Sequence, residues 1–127
     1  MASGDFRSPL ARAEGLGSAK SGTRHWWLQR VSAIALVPLT VWFLAAIIAH
    51  AGADYATFAS WLRTPVAMTG TILLLLALFH HSALGLQVIV EDYVHQDGAK
   101  LGLLILIRFA MWGIGAAATF AVLRIAV

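Results

Sequence analysis

Three long apolar runs constrain this chain more than any other feature of its sequence. They cover residues 31–49, 66–90 and 101–123, and the first two contain no Asp, Glu, Lys or Arg. At 1.5 Å per residue, even the shortest run makes a helix of about 28 Å, which is close to the thickness of the hydrocarbon core of a bilayer. Each run is therefore predicted to be a transmembrane helix.

The overall composition agrees with a chain that lies mostly in lipid. Hydrophobic residues make up 60% of the 127 residues and charged residues only 12%, whereas soluble domains carry about 45–50% apolar and about 25% charged residues. The chain has no cysteine, which excludes disulfides, iron–sulfur clusters and thiolate metal sites on it. With most residues in the membrane, little sequence is left for a separate catalytic domain.

The connections between the apolar runs complete the predicted fold. In the connection formed by residues 50–65, Tyr55, Phe58 and Leu62 recur at helical spacing, which is typical of a short helix lying along the membrane interface. A polar turn over residues 91–100 precedes the third run. We therefore predict an all-α membrane protein with three transmembrane helices and a short interfacial helix between the first two.

Residues 1–24 are predicted to form a basic arm, and residues 25–127 a three-helix transmembrane domain. Basic arms also occur in nucleic-acid-binding proteins, but beside three apolar runs the positive-inside rule favours an arm on the cytoplasmic face. We expect the lipid membrane to be the partner, and no nucleic acid. The basic side chains among the first 30 residues are Arg7, Arg12, Lys20, Arg24 and Arg30.

A histidine pair, His80 and His81, lies within the second apolar run. Ionisable groups inside a membrane are costly and normally face the interior of a helix bundle. Neighbouring residues of a helix point about 100° apart, so only one of the two can face a given partner directly. A neutral imidazole is a good axial ligand for heme iron. A hydrogen bond between helices is the commoner use of a membrane histidine. The histidine pair is therefore consistent with either a heme ligand or an interhelical hydrogen bond.

The residues that follow His81 at helical spacing suggest a cofactor face. His81, Gly85, Val88 and Asp92 share one side of a helix over about 16 Å. Gly85 removes a side chain where a flat macrocycle needs a close approach, although a glycine also suits a helix-packing seam. Asp92 and Tyr93 follow at the membrane surface, where they can hydrogen-bond a quinone carbonyl or relay its protons. Both residue types are also ordinary at an interface.

Two strings of residues carry a resemblance to a known family. The strings are His25-Trp26-Trp27-Leu28-Gln29-Arg30 and His81-x3-Gly85-x6-Asp92-Tyr93. Over roughly residues 25–127 the sequence is similar to the hydrophobic membrane anchor subunit of succinate dehydrogenase, the D subunit of respiratory complex II. The first string resembles the start of that family, and the second resembles its signature near the end of the second of three spans.

The resemblance implies a specific role in the tricarboxylic acid cycle and the respiratory chain. It implies that His81 is an axial ligand of a b-type heme shared with a cytochrome b anchor subunit, that Gly85 lies against the heme and that Arg30 lies near its propionates. It also implies that Tyr93 and Asp92 contribute to the ubiquinone-reduction site. The implied partners are the flavoprotein, iron–sulfur and cytochrome b subunits, and the chain alone is expected to have no catalytic activity.

Several alternatives stay open at this point. The chain could instead belong to a fumarate reductase, which runs the reverse reaction, or be a heme-free helical scaffold or transporter accessory protein. His80 is the alternative heme ligand or a partner for a propionate. Arg108, a charge inside the third run, either approaches Asp92 or a propionate or extends toward the cytoplasmic interface. The expected location is a bacterial cytoplasmic membrane, with the N-terminus cytoplasmic; the mitochondrial inner membrane is the alternative.

Overall fold

The computed structural model describes residues 22–127, and this part of the chain folds into four helices without any strand. The prediction of an all-α protein with three long apolar helices and a short helix between the first two is confirmed. All three long helices have the length and composition needed to cross a membrane. In chain order, the helices are α1 (Gly22–Ala49), α2 (Tyr55–Leu62), α3 (Pro65–Tyr93) and α4 (Asp97–Ala126).

The long helices extend beyond the apolar runs from which they were predicted. Helix α1 begins at Gly22, α3 continues to Tyr93 and α4 begins at Asp97. The polar turn predicted over residues 91–100 is therefore wrong in extent, because only three residues separate α3 from α4. Polar residues at the ends continue the helices because an α-helix satisfies its backbone hydrogen bonds internally, in lipid or in the headgroup layer.

The predicted basic arm lies largely outside the described residues. Residues 1–21 are not among them, and residues 22–24 form the first turn of α1. The division of the chain into an arm over residues 1–24 and a transmembrane domain over residues 25–127 therefore stays a prediction, as does the cytoplasmic position of the arm.

Helix α3 is the centre of the fold and lies between α1 and α4. It packs against both, whereas α1 and α4 make no close backbone contact with each other within residues 22–127. The three spans thus form an open row instead of a closed bundle, which leaves broad apolar surfaces available to lipid or to other subunits. Few side chains are buried in the chain itself: Ser32, Ala59, Leu62, Ala67, Thr71, Leu74, Leu84 and Val90.

Close packing between α1 and α3 depends on Gly70. A β-carbon added at Gly70 would lie 2.6 Å from Cη2 of Trp42, closer than carbon atoms can approach without movement. The missing side chain therefore makes room for the indole of Trp42 against the backbone of α3. Small residues serve this purpose in membrane helix pairs, where packing takes the place of the hydrophobic driving force that acts in water.

Replacing Gly70 by alanine is expected to weaken the packing of α1 on α3. Overpacking of a filled site destabilises proteins by about 1–3 kcal/mol, because the Trp42 ring must shift. The measurement is the midpoint of denaturant-induced unfolding in detergent micelles. Gly113→Ala is the matched control, since a β-carbon there would meet nothing within 4 Å. An unfolding midpoint for Gly70→Ala equal to that of Gly113→Ala would show that the site tolerates the methyl group.

The connection between α1 and α2 uses a glycine and a capping carboxylate. Gly52 adopts φ +86°, a left-handed conformation that favours glycine. Oδ1 of Asp54 accepts a hydrogen bond from the backbone N–H of Thr57 at 2.9 Å and so caps α2. Hydrogen bonds from Thr57 hold the pKa of Asp54 below its ordinary value. At the other end of α2, Nε of Arg63 donates to the carbonyl oxygen of Ile125 at 3.3 Å.

An aromatic cluster joins α1 to α2 at this end of the molecule. The rings of His50 and Trp61 are 4.8 Å apart, those of Phe58 and Trp61 5.2 Å, and those of Trp42 and Trp61 6.3 Å. Nδ1 of His50 lies 2.8 Å from the carbonyl oxygen of Ala46, to which it donates. The cluster fixes α2 across the row of spans, at the end opposite the α3–α4 turn.

Candidate functional site

His81 lies near the middle of α3 and is half-buried against α1. Its Nδ1 is 3.0 Å from Oγ of Ser32. Ser32 is only 7% exposed, and its Oγ is also 3.0 Å from the carbonyl oxygen of Gln29, one turn earlier in α1. A short polar chain therefore connects two spans among apolar side chains.

The two partners of Ser32 determine which nitrogen of His81 carries the proton. A carbonyl oxygen can only accept a hydrogen bond, so the Ser32 hydroxyl donates its single hydrogen to Gln29. Oγ of Ser32 then accepts from His81, and Nδ1 of His81 is the protonated nitrogen. In a neutral imidazole the other nitrogen is unprotonated. Nε2 of His81 is therefore left with the lone pair that a metal ion requires.

Nε2 of His81 is also accessible. Within residues 22–127 only His25 has a buried side-chain nitrogen without a hydrogen-bond partner, so the unpaired Nε2 of the half-buried His81 reaches the surface of the chain. His81 lines an open groove of about 540 Å³ together with Gly85, Leu86 and Met111. A β-carbon at Gly85 would meet nothing within 4 Å, so the surface one turn beyond His81 is unobstructed.

These surroundings fit a porphyrin whose iron binds Nε2. An axial histidine needs one unprotonated ring nitrogen, a partner that fixes the other nitrogen, and room for the macrocycle. Ser32 holds Nδ1 of His81 and so leaves Nε2 unprotonated, which meets the first two requirements. Gly85 contributes to the room for the macrocycle. No group of three or more His, Cys, Asp or Glu in the described part of the chain could hold a bare metal ion. A single imidazole suits iron that already has the porphyrin nitrogens as ligands.

The two neighbouring histidines lie in different grooves. His80 is exposed and lines an apolar groove of about 410 Å³ between α3 and α4. This groove shares only Phe79 and Met111 with the groove beside His81. The helical rotation of about 100° per residue accounts for the separation. His80 and His81 therefore line different grooves.

Two contacts define how α1 and α3 lie relative to each other. Ser32 contacts His81, and Trp42 lies against Gly70. Since a later residue of α1 meets an earlier residue of α3, the two helices are antiparallel. Residues that precede Ser32 in α1 consequently lie toward the same end of the molecule as residues that follow His81 in α3.

Arg30 lies on that side of the Ser32–His81 contact. It is exposed on α1, two residues before Ser32. Its guanidinium carbon is 5.4 Å from the centre of the Trp26 ring, an arrangement that is typical of a cation–π contact. Arg30 therefore lies within one helical turn of Ser32, the hydrogen-bond partner of His81, and its charged group is exposed at the surface.

Asp92 and Tyr93 lie in the last turn of α3. Both are exposed, and Tyr93 is 79% exposed. Nearby, Nε2 of Gln87 donates to Oε1 of Glu91 at 2.7 Å, so that carboxylate is engaged along the helix. Asp92 lies about 16 Å along the helix from His81. The structure therefore separates this pair from the imidazole and leaves it at the end of the helix.

Arg108 is exposed on α4. Residues 22–127 therefore do not enclose its guanidinium in a polar site. The suggested approach of Arg108 to Asp92 or to a propionate stays a prediction.

Ser32 is the site residue that the sequence analysis did not single out. It is a common small residue at the start of the first apolar run, and the run boundaries gave no sign that it reaches the depth of His81. In the structure α1 begins at Gly22, so Ser32 lies two to three turns inside the helix. The position of Ser32 within the helix is the signal that points to it. A polar residue at that depth on a helix packed against His81 is a natural hydrogen-bond partner.

The fold and the site together define a class of protein. It is a small subunit of three membrane-spanning helices that leaves broad apolar surfaces uncovered. Near the middle of its central span it carries an imidazole nitrogen without a hydrogen-bond partner in the described part of the chain. The chain belongs to the family of succinate dehydrogenase/fumarate reductase transmembrane subunits, which it matches over residues 5–115. The resemblance inferred from the two sequence strings is thus confirmed, and the chain is a membrane component of the respiratory electron-transport system.

Curated relatives agree with this assignment over most of their length. The chain is 34% identical to the succinate dehydrogenase hydrophobic membrane anchor subunit of Rickettsia bellii, covering 82% of this chain and 83% of the relative. It is 30% identical to the subunit of the same name from Paracoccus denitrificans, covering 94% and 92%. It is 32% identical to the succinate dehydrogenase membrane anchor subunit of Reclinomonas americana, covering 70% and 77%.

Proposed function

We propose that this chain anchors a succinate:ubiquinone oxidoreductase in the membrane and provides one axial ligand, His81, to a b-type heme. The observation that supports the proposal most strongly is the state of the His81 ring. Its Nδ1 is bonded to Ser32 at 3.0 Å, while its Nε2 has no hydrogen-bond partner within residues 22–127 and the residue lines an open apolar groove. A histidine that only joined two helices would have no need of an open surface at its other nitrogen.

Gly85 and Arg30 extend the proposed heme pocket. The open space at Gly85 allows a macrocycle to approach the α3 backbone one turn from the ligand. Arg30 is exposed on α1 near Ser32, where a guanidinium can pair with a propionate. Arg30 would then hold the porphyrin edge toward the end of the molecule that carries Asp92 and Tyr93.

The second axial ligand comes from a partner in this proposal. Within residues 22–127 no second histidine lines the groove of His81, and the open row of spans leaves this groove accessible to another subunit. A cytochrome b anchor subunit that covers this groove would complete the pocket. When bound there, heme would supply a one-electron redox site.

Tyr93 and Asp92 are proposed to bind and protonate ubiquinone. Reduction of a quinone to a quinol takes up two electrons and two protons, so the site needs hydrogen-bond donors at the carbonyl oxygens and a route for protons. The Tyr93 phenol can donate to a carbonyl oxygen, and the Asp92 carboxylate can relay protons from water. Both side chains are exposed at the end of α3, where an iron–sulfur subunit can dock.

The electrons must enter through other subunits. The chain has no cysteine with which to hold an iron–sulfur cluster. Flavoprotein and iron–sulfur subunits are therefore the proposed partners for oxidation of succinate and electron delivery. They would lie on the cytoplasmic face of a bacterial membrane, where the positive-inside rule directs the basic N-terminal residues.

The Ser32–His81 contact also favours a second candidate function. A buried hydrogen bond between spans stabilises membrane helix pairs by about 0.6 kcal/mol on average, which would suffice for a heme-free scaffold.

The anchor of a fumarate reductase is the other alternative, since the matched family includes both enzymes. It would use the same residues with the reaction reversed.

Purification of the tagged chain from its native membrane tests the proposal. We expect three further subunits to co-purify in mild detergent: a flavoprotein, an iron–sulfur protein and a second membrane anchor. The reduced-minus-oxidised spectrum of this complex should contain a b-type band. A chain that purifies with membrane transporters, or a four-subunit complex without any heme band, would contradict the proposal.

A further inference from the structure

Ser32 has a role that goes beyond joining two helices. We infer that Ser32 is a positioning residue for the heme: it fixes the tautomer and the ring orientation of His81 and raises the basicity of the coordinating nitrogen. The inference rests on the proposed function of His81 as a heme ligand. It concerns a side chain on a different helix from the ligand itself.

The geometry requires one direction for the hydrogen bonds. Oγ of Ser32 has a 3.0 Å contact with the carbonyl oxygen of Gln29 and a 3.0 Å contact with Nδ1 of His81. A hydroxyl has one hydrogen to donate. The carbonyl oxygen of Gln29 can only accept, so Ser32 must use this hydrogen in its contact with Gln29. Both contacts are hydrogen bonds only if Nδ1 of His81 donates. The tautomer with a protonated Nε2, which cannot bind iron, would lose one of the two bonds.

The burial of Ser32 strengthens the preference of His81 for the tautomer with a protonated Nδ1. Ser32 is 7% exposed, so water does not readily replace it as a partner for the imidazole. A polar group left unpaired in an apolar environment is strongly disfavoured. Ser32 therefore holds the ring of His81 in place before any ligand arrives.

The same bond affects the electronic properties of the ligand. An acceptor on the distant ring nitrogen increases the basicity of the coordinating nitrogen. A more basic ligand stabilises ferric iron more than ferrous iron and lowers the reduction potential of the heme. The backbone carbonyl of Gln29 strengthens the effect because it polarises the Ser32 hydroxyl that accepts the hydrogen bond from Nδ1.

Three substitutions in the purified complex test the role of Ser32. Ser32→Ala removes the acceptor, Ser32→Cys replaces it with a weak acceptor of similar size, and Ser32→Thr retains a hydroxyl. Loss of a partner of a metal-bound histidine typically weakens metal binding 10- to 100-fold. We expect heme transfer to apomyoglobin to be about 10-fold faster or more in Ser32→Ala, somewhat faster in Ser32→Cys and near wild type in Ser32→Thr.

Two spectroscopic readouts separate positioning from simple packing. In Ser32→Ala and Ser32→Cys, the midpoint potential of the heme should become more positive, and the low-spin ferric electron paramagnetic resonance signal should shift because the imidazole plane is less fixed. Thr40→Ala is the matched control, because it removes an exposed hydroxyl from the same helix. It should change neither quantity. If Ser32→Ala does not assemble, Ser32→Cys provides the same comparison.

The outcomes distinguish this inference from the proposed function. If His81→Ala retains the heme band, the proposed function is wrong whatever Ser32 does. If His81→Ala loses the band while Ser32→Ala and Ser32→Cys keep the wild-type potential, resonance signal and heme-transfer rate, only the positioning role is wrong. A Ser32→Ala complex that unfolds more easily but has an unchanged potential would likewise show that Ser32 serves packing alone.

Discussion

A complex that carries His81→Ala is expected to lose its b-type absorption band while its subunits still assemble. The imidazole supplies one of the two protein ligands of the proposed heme iron, and alanine has no atom that can replace it. We expect the heme content per complex to fall by at least about 10-fold, since even loss of a partner of such a ligand weakens metal binding 10- to 100-fold. The measurement is the reduced-minus-oxidised spectrum, normalised to the amount of the flavoprotein subunit.

The adjacent histidine provides the matched control. His80 lies in the separate groove between α3 and α4, so His80→Ala should keep the band at its normal height and position. The band should also be absent from a His80→Ala/His81→Ala double variant. Loss of the band in His80→Ala together with its retention in His81→Ala would assign the ligand to the other ring and contradict the account.

Tyr93→Phe is expected to slow quinone reduction while heme content stays normal. The substitution removes one hydroxyl from the exposed end of α3 and preserves the ring. A hydrogen bond to a group that gains charge is worth about 1.5–3 kcal/mol, and each 1.36 kcal/mol of barrier corresponds to a factor of ten in rate. The rate of succinate-dependent reduction of ubiquinone should therefore fall about 10- to 100-fold. Oxidation of succinate by an artificial acceptor that bypasses the quinone should be unaffected.

The chain offers a close control for this substitution. Its other tyrosine, Tyr55, is exposed at the start of α2, which lies at the opposite end of the spans. Tyr55→Phe should reduce ubiquinone at the normal rate. Asp92→Asn should resemble Tyr93→Phe if the carboxylate delivers protons. A normal rate in Tyr93→Phe would remove this residue from the quinone site.

The fold was predictable from the sequence because the membrane limits the possible structures. A long apolar run without charges can cross a bilayer only as a helix or as part of a closed barrel, and runs of this length are helices. The ends of the helices were less predictable. Side-chain polarity marks where lipid ends, whereas a helix ends where its backbone loses partners. Gly22 therefore lies well before the first apolar run, and Tyr93 lies just beyond the second.

The candidate site was predictable only in part. The helical period places Gly85 and Asp92 on the face of His81, and that relation needs no tertiary information. The contact with Ser32 depends on the register between α1 and α3, which the packing of Trp42 on Gly70 helps to determine. Such a register is not encoded in either helix alone, so the partner of His81 appeared only in the three-dimensional structure.

The most direct test of the central claim is a structure of the purified complex at a resolution that defines the iron ligands. We expect Nε2 of His81 to be bonded to a porphyrin iron, with Nδ1 still donating to Ser32 and a residue of another subunit on the opposite side of the porphyrin. An intact complex in which the His81 ring contacts only neighbouring helices, without a porphyrin in the groove beside Gly85, would contradict it.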